Sequence, residues 1–376
     1  GFLAFFALMA FFESLGMGAK WIGILFVLFT LVVYAFIGVL SRTTAVDAYY
    51  VAGRSVPPVF NGMATAADWM SGASFVAMAG GIFMSGHPYM AFIVGWTGGY
   101  ILIATLMAPY LRKFGCYTVP DFIGTRYGGK LTRLCAIVVL VVASFTYVTA
   151  QITATGTIAA RAFQIPFEVG VWLGLFGILV CSMLGGMRAV TWTQVAQYIV
   201  LIVAYLIPIF WMSIAQGFGW LPHLSYGSAV QRIMELEPII GVGTQPTDTV
   251  AGLKALTTLH ATPPEGALAA WKFVTLVFCM MVGTASLPHI LMRYFTTPSV
   301  RDARNSVAWS LFFIFLLYFS APALATFSKL QMIDPNLPTA IIGASVDHVL
   351  SLEWIQKWSA IGLLAIKDSN ADGILQ

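Results

Sequence analysis

Charged residues are scarce in this sequence, and their scarcity excludes a typical soluble protein. Only 9% of the 376 residues are Asp, Glu, Lys or Arg, whereas 59% are hydrophobic. Soluble domains carry roughly 25% charged residues, so much of this chain must have lipid rather than water as its solvent. The net charge of +4 does not indicate nucleic-acid binding, because the basic residues fall in short segments between apolar stretches.

Cysteine and histidine are too few and too dispersed to form a metal centre. The four cysteines lie in or beside separate apolar stretches without CxxC spacing, which argues against a disulfide scaffold or a thiolate site. We expect them to be packing residues. The histidines share no ligand spacing, and His289 is expected to be a structural hydrogen-bonding residue. No nucleophile, base and acid set stands out, so an enzyme is not expected.

Long apolar stretches dominate what is present. Each is close to or above the ~20 residues that a helix needs to cross a bilayer, and none alternates with period two. The sequence therefore predicts an all-α polytopic membrane protein. The opening run, 1–12, has no initiator Met or basic flank, so we expect a truncated helix rather than a signal peptide. The eight longer stretches are 21–40, 58–84, 88–110, 132–158, 168–184, 192–213, 271–293 and 305–328.

The basic residues mark alternate connections and so predict the orientation. Positive loops face the cytoplasm, and most acidic residues lie on the opposite side, in 214–270 and 329–376. The 58–84 stretch then runs outward and 271–293, five spans later, runs inward, so a repeated five-helix unit must be inverted. The basic residues counted as cytoplasmic are Arg42, Arg54, Arg112, Lys113, Arg126, Lys130, Arg133, Arg188, Arg293, Arg301 and Arg304.

This count gives a domain organisation. The predicted parts are N-terminal peripheral helices (1–57), a first five-helix repeat (58–213), an extracytoplasmic loop (214–270), the start of a second inverted repeat (271–328) and a further extracytoplasmic loop (329–376).

Two of the spans are predicted to be interrupted helices. Asp68 is the carboxylate in mid-span, where an ionised group costs about 2.5–3.5 kcal/mol, and Ser71, Gly72 and Ser74 follow it. Such a stretch favours an unwound segment that lines a cavity. Asp68 is interpreted as a functional carboxylate, which could pair with a neighbouring helix, stabilise the unwound backbone or sense a proton.

The second interruption is predicted within 283–288, where Pro288 removes a backbone donor and clashes with the preceding turn. Paired interruptions in opposed helices indicate a substrate site at the repeat interface. The alternative is that small residues and proline only allow close helix packing.

Five motifs in order resemble the sodium:solute symporter family, in the branch that includes cation/acetate permeases. The resemblance covers most of the chain and implies a leucine-transporter-like fold of inverted five-plus-five helices, alternating access, and a sodium ion between the first and eighth core helices. The matching segments are Tyr50-Val-Ala-Gly-Arg54, Ala67-Asp-Trp-Met-Ser-Gly-Ala-Ser-Phe75, Gly115-Cys-Tyr-Thr-Val-Pro-Asp-Phe122, Gly185-Gly-Met-Arg-Ala-Val-Thr-Trp-Thr-Gln194 and Gly283-Thr-Ala-Ser-Leu-Pro-His-Ile-Leu-Met-Arg293.

The resemblance also implies roles for single residues. Main-chain oxygens of Ala67 and Met70 would hold the sodium ion, with Ser71 beside them. Oxygen ligands suit such a hard cation. Substrate contacts are implied for Ser74, Gly283 and Thr284.

Three further polar positions bear on the substrate. Gln194 stands where the sugar-transporting relatives carry an Asp, which makes a small organic anion the better candidate. Tyr147 and Gln151 lie about one turn apart on one helix face, where each could contact the substrate or a neighbouring helix.

The tail contains a possible calcium loop. The segment 352–366 is too short to span a membrane, and we expect it to be extramembrane. Asp368, Asn370 and Asp372 then match the first ligands of an EF-hand loop, although a plain polar turn is the alternative. The resemblance places core helix eight downstream, so we expect the fold to be truncated at its C-terminus.

The favoured hypothesis is a sodium-driven symporter of a small monocarboxylate such as acetate, in the bacterial inner membrane. Its expected partners are a small-molecule substrate and membrane lipid, and the oligomeric state stays open. The alternatives are a proline or sugar symporter, a transporter-like sensor domain of a receptor, and a channel, which an interrupted helix pair does not favour.

Overall fold

The computed structural model describes residues 2–163, 165–239, 259–263, 266–337, 340–342, 344–360, 366 and 373. Within these ranges the chain forms helices joined by turns and short loops, and no β-sheet is present. The α-helices are α1 (Phe2–Ser14), α2 (Ala19–Leu40), α3 (Val46–Val51), α4 (Pro58–Trp69), α5 (Met78–Ser85), α6 (Met90–Leu102), α7 (Ala108–Phe114), α8 (Val119–Tyr127), α9 (Lys130–Phe163), α10 (Phe167–Ala215), α11 (Pro222–Leu236), α12 (Ala267–Ala285), α13 (Pro288–Leu291), α14 (Val300–Ile333), α15 (Val346–Ser351) and α16 (Glu353–Ala360).

The predicted polytopic membrane architecture is confirmed. Two predicted spans, 58–84 and 168–184, correspond to an interrupted helix and to the first part of α10. Among the described residues, six other helical runs are long and apolar enough to cross a bilayer. They are Trp21–Leu40, His87–Phe114, Lys130–Ala160, Gly185–Ala215, Ala267–Ala285 and Val300–Ile333.

The connection predicted between 184 and 192 is much shorter than expected. Helix α10 is helical on both sides of Gly186, whose φ of 52° and ψ of −144° turn the chain. A Cβ atom at Gly186 would lie 2.5 Å from the carbonyl oxygen of Tyr49 in α3, so both the turn and the packing require glycine. Arg188, counted as a loop residue, therefore lies in a helix.

Both helices predicted to be interrupted are interrupted. Helix α4 ends at Trp69, Met70 and Ser71 leave helical geometry, and a π-helical segment, Gly72–Ala77, leads into α5. Helix α12 ends at Ala285, and the chain resumes as α13 at Pro288. Proline fits that first helical position because its missing N–H would have no intrahelical partner there.

Helix α14 is the most buried of these spans, and it organises the core. It packs against α4, α5 and α11, and its buried face includes Phe313, Leu317 and Phe327. Helix α9 instead exposes apolar side chains such as Val142 and Phe145. Exposed apolar surface on a span suits lipid, so α14 lies inside the bundle and α9 at its edge.

Candidate functional site

A cavity of about 200 Å³ lies between the two helix interruptions. Its position is the one expected for a site built from discontinuous helices, because unwound backbone at membrane depth must line a cavity or be covered by protein. Residues from α4, the π-helical segment, α6, α9, α12, α13 and α14 line it. They are Asp68, Trp69, Ser71, Ala73, Ser74, Trp96, Tyr147, Thr284, Leu287, His289, Ile290 and Tyr318.

The structure brings five of the predicted site residues together in this lining: Asp68, Ser71, Ser74, Tyr147 and Thr284. Gly283, Ala67 and Met70 do not belong to this lining. Gly283 precedes Thr284 in the last turns of α12, Ala67 lies in the last turn of α4, and Met70 is part of the first interruption. The hydroxyl groups of the lining are therefore concentrated next to the unwound backbone.

The first interruption leaves two carbonyl groups outside the local turn bonds. The N–H groups of Ser74 and Phe75 both donate to the Ser71 carbonyl, and the Ser74 hydroxyl donates to the Trp69 carbonyl. Among the described residues, none of these turn hydrogen bonds uses the carbonyl of Ala67 or Met70. Neither oxygen is used by the turn that follows α4.

Gln151 supports the interruption instead of lining the cavity. Its side-chain oxygen accepts a hydrogen bond from the Gly72 N–H at 2.8 Å. The two helices meet closely here, since a Cβ atom at Gly72 would lie 2.6 Å from the Cβ of Ala154. Of the two roles left open for Gln151, the structure shows contact with a neighbouring segment.

We expect Gln151→Leu to weaken ligand binding in the cavity by roughly tenfold, because leaving the partly buried Gly72 N–H unpaired costs about 1–3 kcal/mol. Equilibrium binding to the full-length protein measures the change. Thr153→Val is the matched control, because Thr153 is an exposed residue of the same helix that bonds only within it. Equal effects of both substitutions would contradict a specific role for the Gln151 contact.

Asp68 forms a buried ion pair with Arg293. The Arg293 Nε and Nη2 atoms lie 2.6 and 3.1 Å from the two carboxylate oxygens, and the side chains are 2% and 9% exposed. Gln194 also donates to the carboxylate, and Thr191 accepts a hydrogen bond from Arg293 Nη1 at 2.9 Å. The pair therefore connects both interrupted helices to α10.

This pair corrects the expectation for Arg293 and selects one of the roles left open for Asp68. Arg293, counted as a cytoplasmic loop residue, is buried inside the protein, because Asp68 offers it a bidentate partner away from water. Of the roles left open for Asp68, the structure shows pairing with a neighbouring helix. The signal in the sequence was that Arg293 closes an apolar stretch, where a charged side chain calls for a partner.

Asn61 is a site residue that sequence reasoning missed. It is fully buried, and its amide nitrogen donates to the Arg293 carbonyl at 3.2 Å and to Ser306 at 2.7 Å. Its side-chain oxygen accepts from Thr296 at 2.9 Å. Asn61 thus joins the inner parts of both interrupted helices to α14.

His289 and the cysteines also differ from the expected pattern. His289 lines the cavity and stacks on Tyr147, with ring centroids 4.5 Å apart. Cys135 and Cys279 are exposed on their helices rather than packed in the core. The part of the chain that the structure describes contains no cluster of three His, Cys, Asp or Glu residues able to hold a metal.

The predicted calcium ligands Asp368, Asn370 and Asp372 lie outside the described residues. The calcium loop stays a prediction.

Comparisons with known proteins agree with this geometry. The model of the sodium:solute symporter family matches residues 49–348. An uncharacterized symporter of Cupriavidus necator is 39% identical over 100% of this chain and 67% of its own length. The monocarboxylic acid transporter of Corynebacterium glutamicum is 27% identical over 86% of this chain and 57% of its own length.

A solved structure shows the same fold. A Na⁺-coupled sialic acid symporter, in a substrate-bound outward-open state, superposes with a TM-score of 0.59 at 15% identity, over 85% of this chain and 66% of that protein. The likeness confirms the predicted leucine-transporter-like fold. The chain spans between 57% and 67% of the length of these three proteins. From the family match and the 39% identical relative, the chain belongs to the sodium:solute symporter family.

Proposed function

We propose that the protein containing this chain transports a small monocarboxylate, such as acetate, together with sodium by alternating access. The observation that carries the proposal is the composition of the cavity between the two helix interruptions. Its one carboxylate, Asp68, is paired with Arg293, while hydroxyl groups, the imidazole of His289 and apolar side chains supply the rest of the lining.

The sodium ion would bind at the first interruption. The carbonyl oxygens of Ala67 and Met70 are free of the local turn bonds, and Ser71 adds a hydroxyl beside them. Oxygen ligands of this kind suit a hard monovalent cation better than nitrogen or sulfur would. The family match and the sodium-coupled structural neighbour support sodium as the coupling ion.

The substrate carboxylate would lie beside that ion. Ser74 and Thr284 present hydroxyl groups to the cavity, and because Arg293 is already paired with Asp68, the sodium ion supplies the positive charge that balances the substrate. A short apolar tail fits against Trp96 and Leu287. The monocarboxylic acid transporter among the relatives supports this substrate class.

Counterflow in liposomes containing the full-length protein tests the proposal. Labelled acetate, proline and glucose are compared with and without sodium. We expect sodium-dependent exchange of acetate only. Sodium-dependent exchange of proline or glucose in place of acetate would assign a different substrate, and flux of acetate without saturation or sodium dependence would contradict symport.

A further inference from the structure

A second buried ion pair lies near the C-terminal end of α14, which the charge pattern predicts to be its outer end, away from the cavity. Lys329 Nζ lies 2.9 Å from Glu237 Oε1, and the two side chains are 0% and 2% exposed. Lys329 follows the cavity residue Tyr318 by eleven positions, about 16 Å along a helix. The sequence placed both charged residues in outer loops, and the proposed transport site uses neither of them.

His260 occupies the space beside this pair. Its backbone N–H donates to Glu237 Oε1 at 2.8 Å, and its ring Nε2 lies 3.2 Å from the Thr326 hydroxyl of α14. The ring is buried, and its Nδ1 atom has no hydrogen-bond partner in the described ranges. The segment around His260 is thus held against α14 and the end of α11 by buried polar contacts.

The same segment covers the outer end of the first interrupted helix. The His260 carbonyl accepts a hydrogen bond from the His87 N–H at 2.8 Å, just after α5 ends. A Cβ atom at Gly86 would lie 2.5 Å from that carbonyl oxygen and 2.7 Å from the carbonyl oxygen of Leu259. Residues 259–260, called the outer latch below, therefore join α5, α11 and α14.

The charges around the latch favour a neutral histidine. Within the described ranges, the titratable groups that face His260 are Glu237 just after α11, Lys329 from α14 and His87 from the turn after α5. Burial, together with the Lys329 charge, lowers the pKa of His260 from 6.5 to about 4. A protonated ring would place a second cation beside the Lys329 and Glu237 pair.

We propose that the outer latch is released by external acid, with His260 as the residue that takes up the proton. The direction of the pH effect follows from the difference between the two pKa values of His260. A detached His260 titrates near 6.5 and the seated one near 4, so attachment is strongest above pH 6.5 and weakens by up to tenfold per pH unit between those values. Because α5 directly continues the π-helical segment that contains Ser74, release would make uptake depend on external pH. This last consequence alone rests on the proposed function.

Hydrogen exchange in the full-length protein, without substrate, tests the latch directly. We expect the His87 amide to exchange about tenfold or more faster at pH 5 than at pH 7.5, after correction for the intrinsic effect of pH on exchange. His260→Gln stays neutral over this range and should abolish the acid response, whereas His348→Gln, at an exposed position, should keep it.

Two results would overturn the latch. One is a wild-type protein whose His87 amide exchanges equally at both pH values, a result that needs no variant to fold. The other is a His260→Gln protein that keeps the full acid response. Neither outcome bears on whether the cavity binds a monocarboxylate with sodium, so failure of the latch and failure of the transport proposal are distinguishable.

Discussion

Replacing Gly72 by valine should abolish sodium-stimulated uptake while leaving membrane insertion intact. A Cβ atom at this position would lie 2.6 Å from the Cβ of Ala154, and the N–H of Gly72 is bonded to Gln151. A branched side chain would push α9 away from the interruption and break that bond. Because the neighbouring Ser71 and Ser74 line the cavity, the site would lose its geometry.

Two variants show whether the close approach at Gly72 is the cause. Gly80→Ala lies on the same interrupted helix with nothing within 4 Å of an added Cβ, so it should transport normally. Gly72→Ala should be impaired, and adding Ala154→Gly should restore much of its activity by removing the contacted atom. Wild-type uptake by Gly72→Val would contradict the assignment of the site to this interruption.

Removing either member of the Asp68 and Arg293 pair should strongly destabilise the protein. Asp68→Asn leaves a guanidinium, and Arg293→Met leaves a carboxylate, buried without the opposite charge that balances it. Breaking a buried ion pair in this way costs about 3–5 kcal/mol. We expect a lower unfolding temperature in detergent and loss of uptake for both variants.

Moving the carboxylate provides a sharper test than removing it. Gln194 already contacts the Asp68 carboxylate, so Asp68→Asn with Gln194→Glu exchanges acid and amide within one network. The double variant should recover most of the stability lost in Asp68→Asn. Arg133→Met, which breaks a largely exposed pair with Asp121, is the control, because exposed pairs are worth roughly 0–1 kcal/mol. If Asp68→Asn were as stable as the wild-type protein, the account of the pair would be contradicted.

The two interruptions could be predicted because their signals are local. Glycine, serine and proline weaken the interior of a helix, and a lone carboxylate such as Asp68 in an apolar span requires an explanation. The partner of Asp68 could not be predicted in the same way. Arg293 lies 225 positions away, and its pairing depends on how the two interrupted helices pack.

The contacts of Gln151 and Asn61 could not be predicted for the same reason: they depend on how distant helices pack. Gln151 bonds the Gly72 N–H at the first interruption, and Asn61 bonds the Arg293 carbonyl beyond the second. Which residue reaches these groups depends on the rotation and separation of neighbouring helices. Those are set by close contacts such as that of Gly72 with Ala154, which no periodicity reveals. Counting charges could not separate buried residues such as Arg293 and Lys329 from loop residues.

The central claim is that sodium and a monocarboxylate bind together in the cavity between the two interruptions. Equilibrium binding of labelled acetate to the full-length protein, with and without sodium, tests it most directly in the wild type and in Thr284→Val. Thr284 is a buried hydroxyl of the cavity, and Thr275→Val is the matched control at an exposed position of the same helix. We expect sodium to raise acetate affinity in the wild type and in Thr275→Val. In Thr284→Val we expect acetate affinity to fall by tenfold or more, because a hydrogen bond to a charged group contributes about 1.5–3 kcal/mol. Acetate binding that is insensitive to sodium, or that Thr284→Val leaves unchanged, would contradict the account.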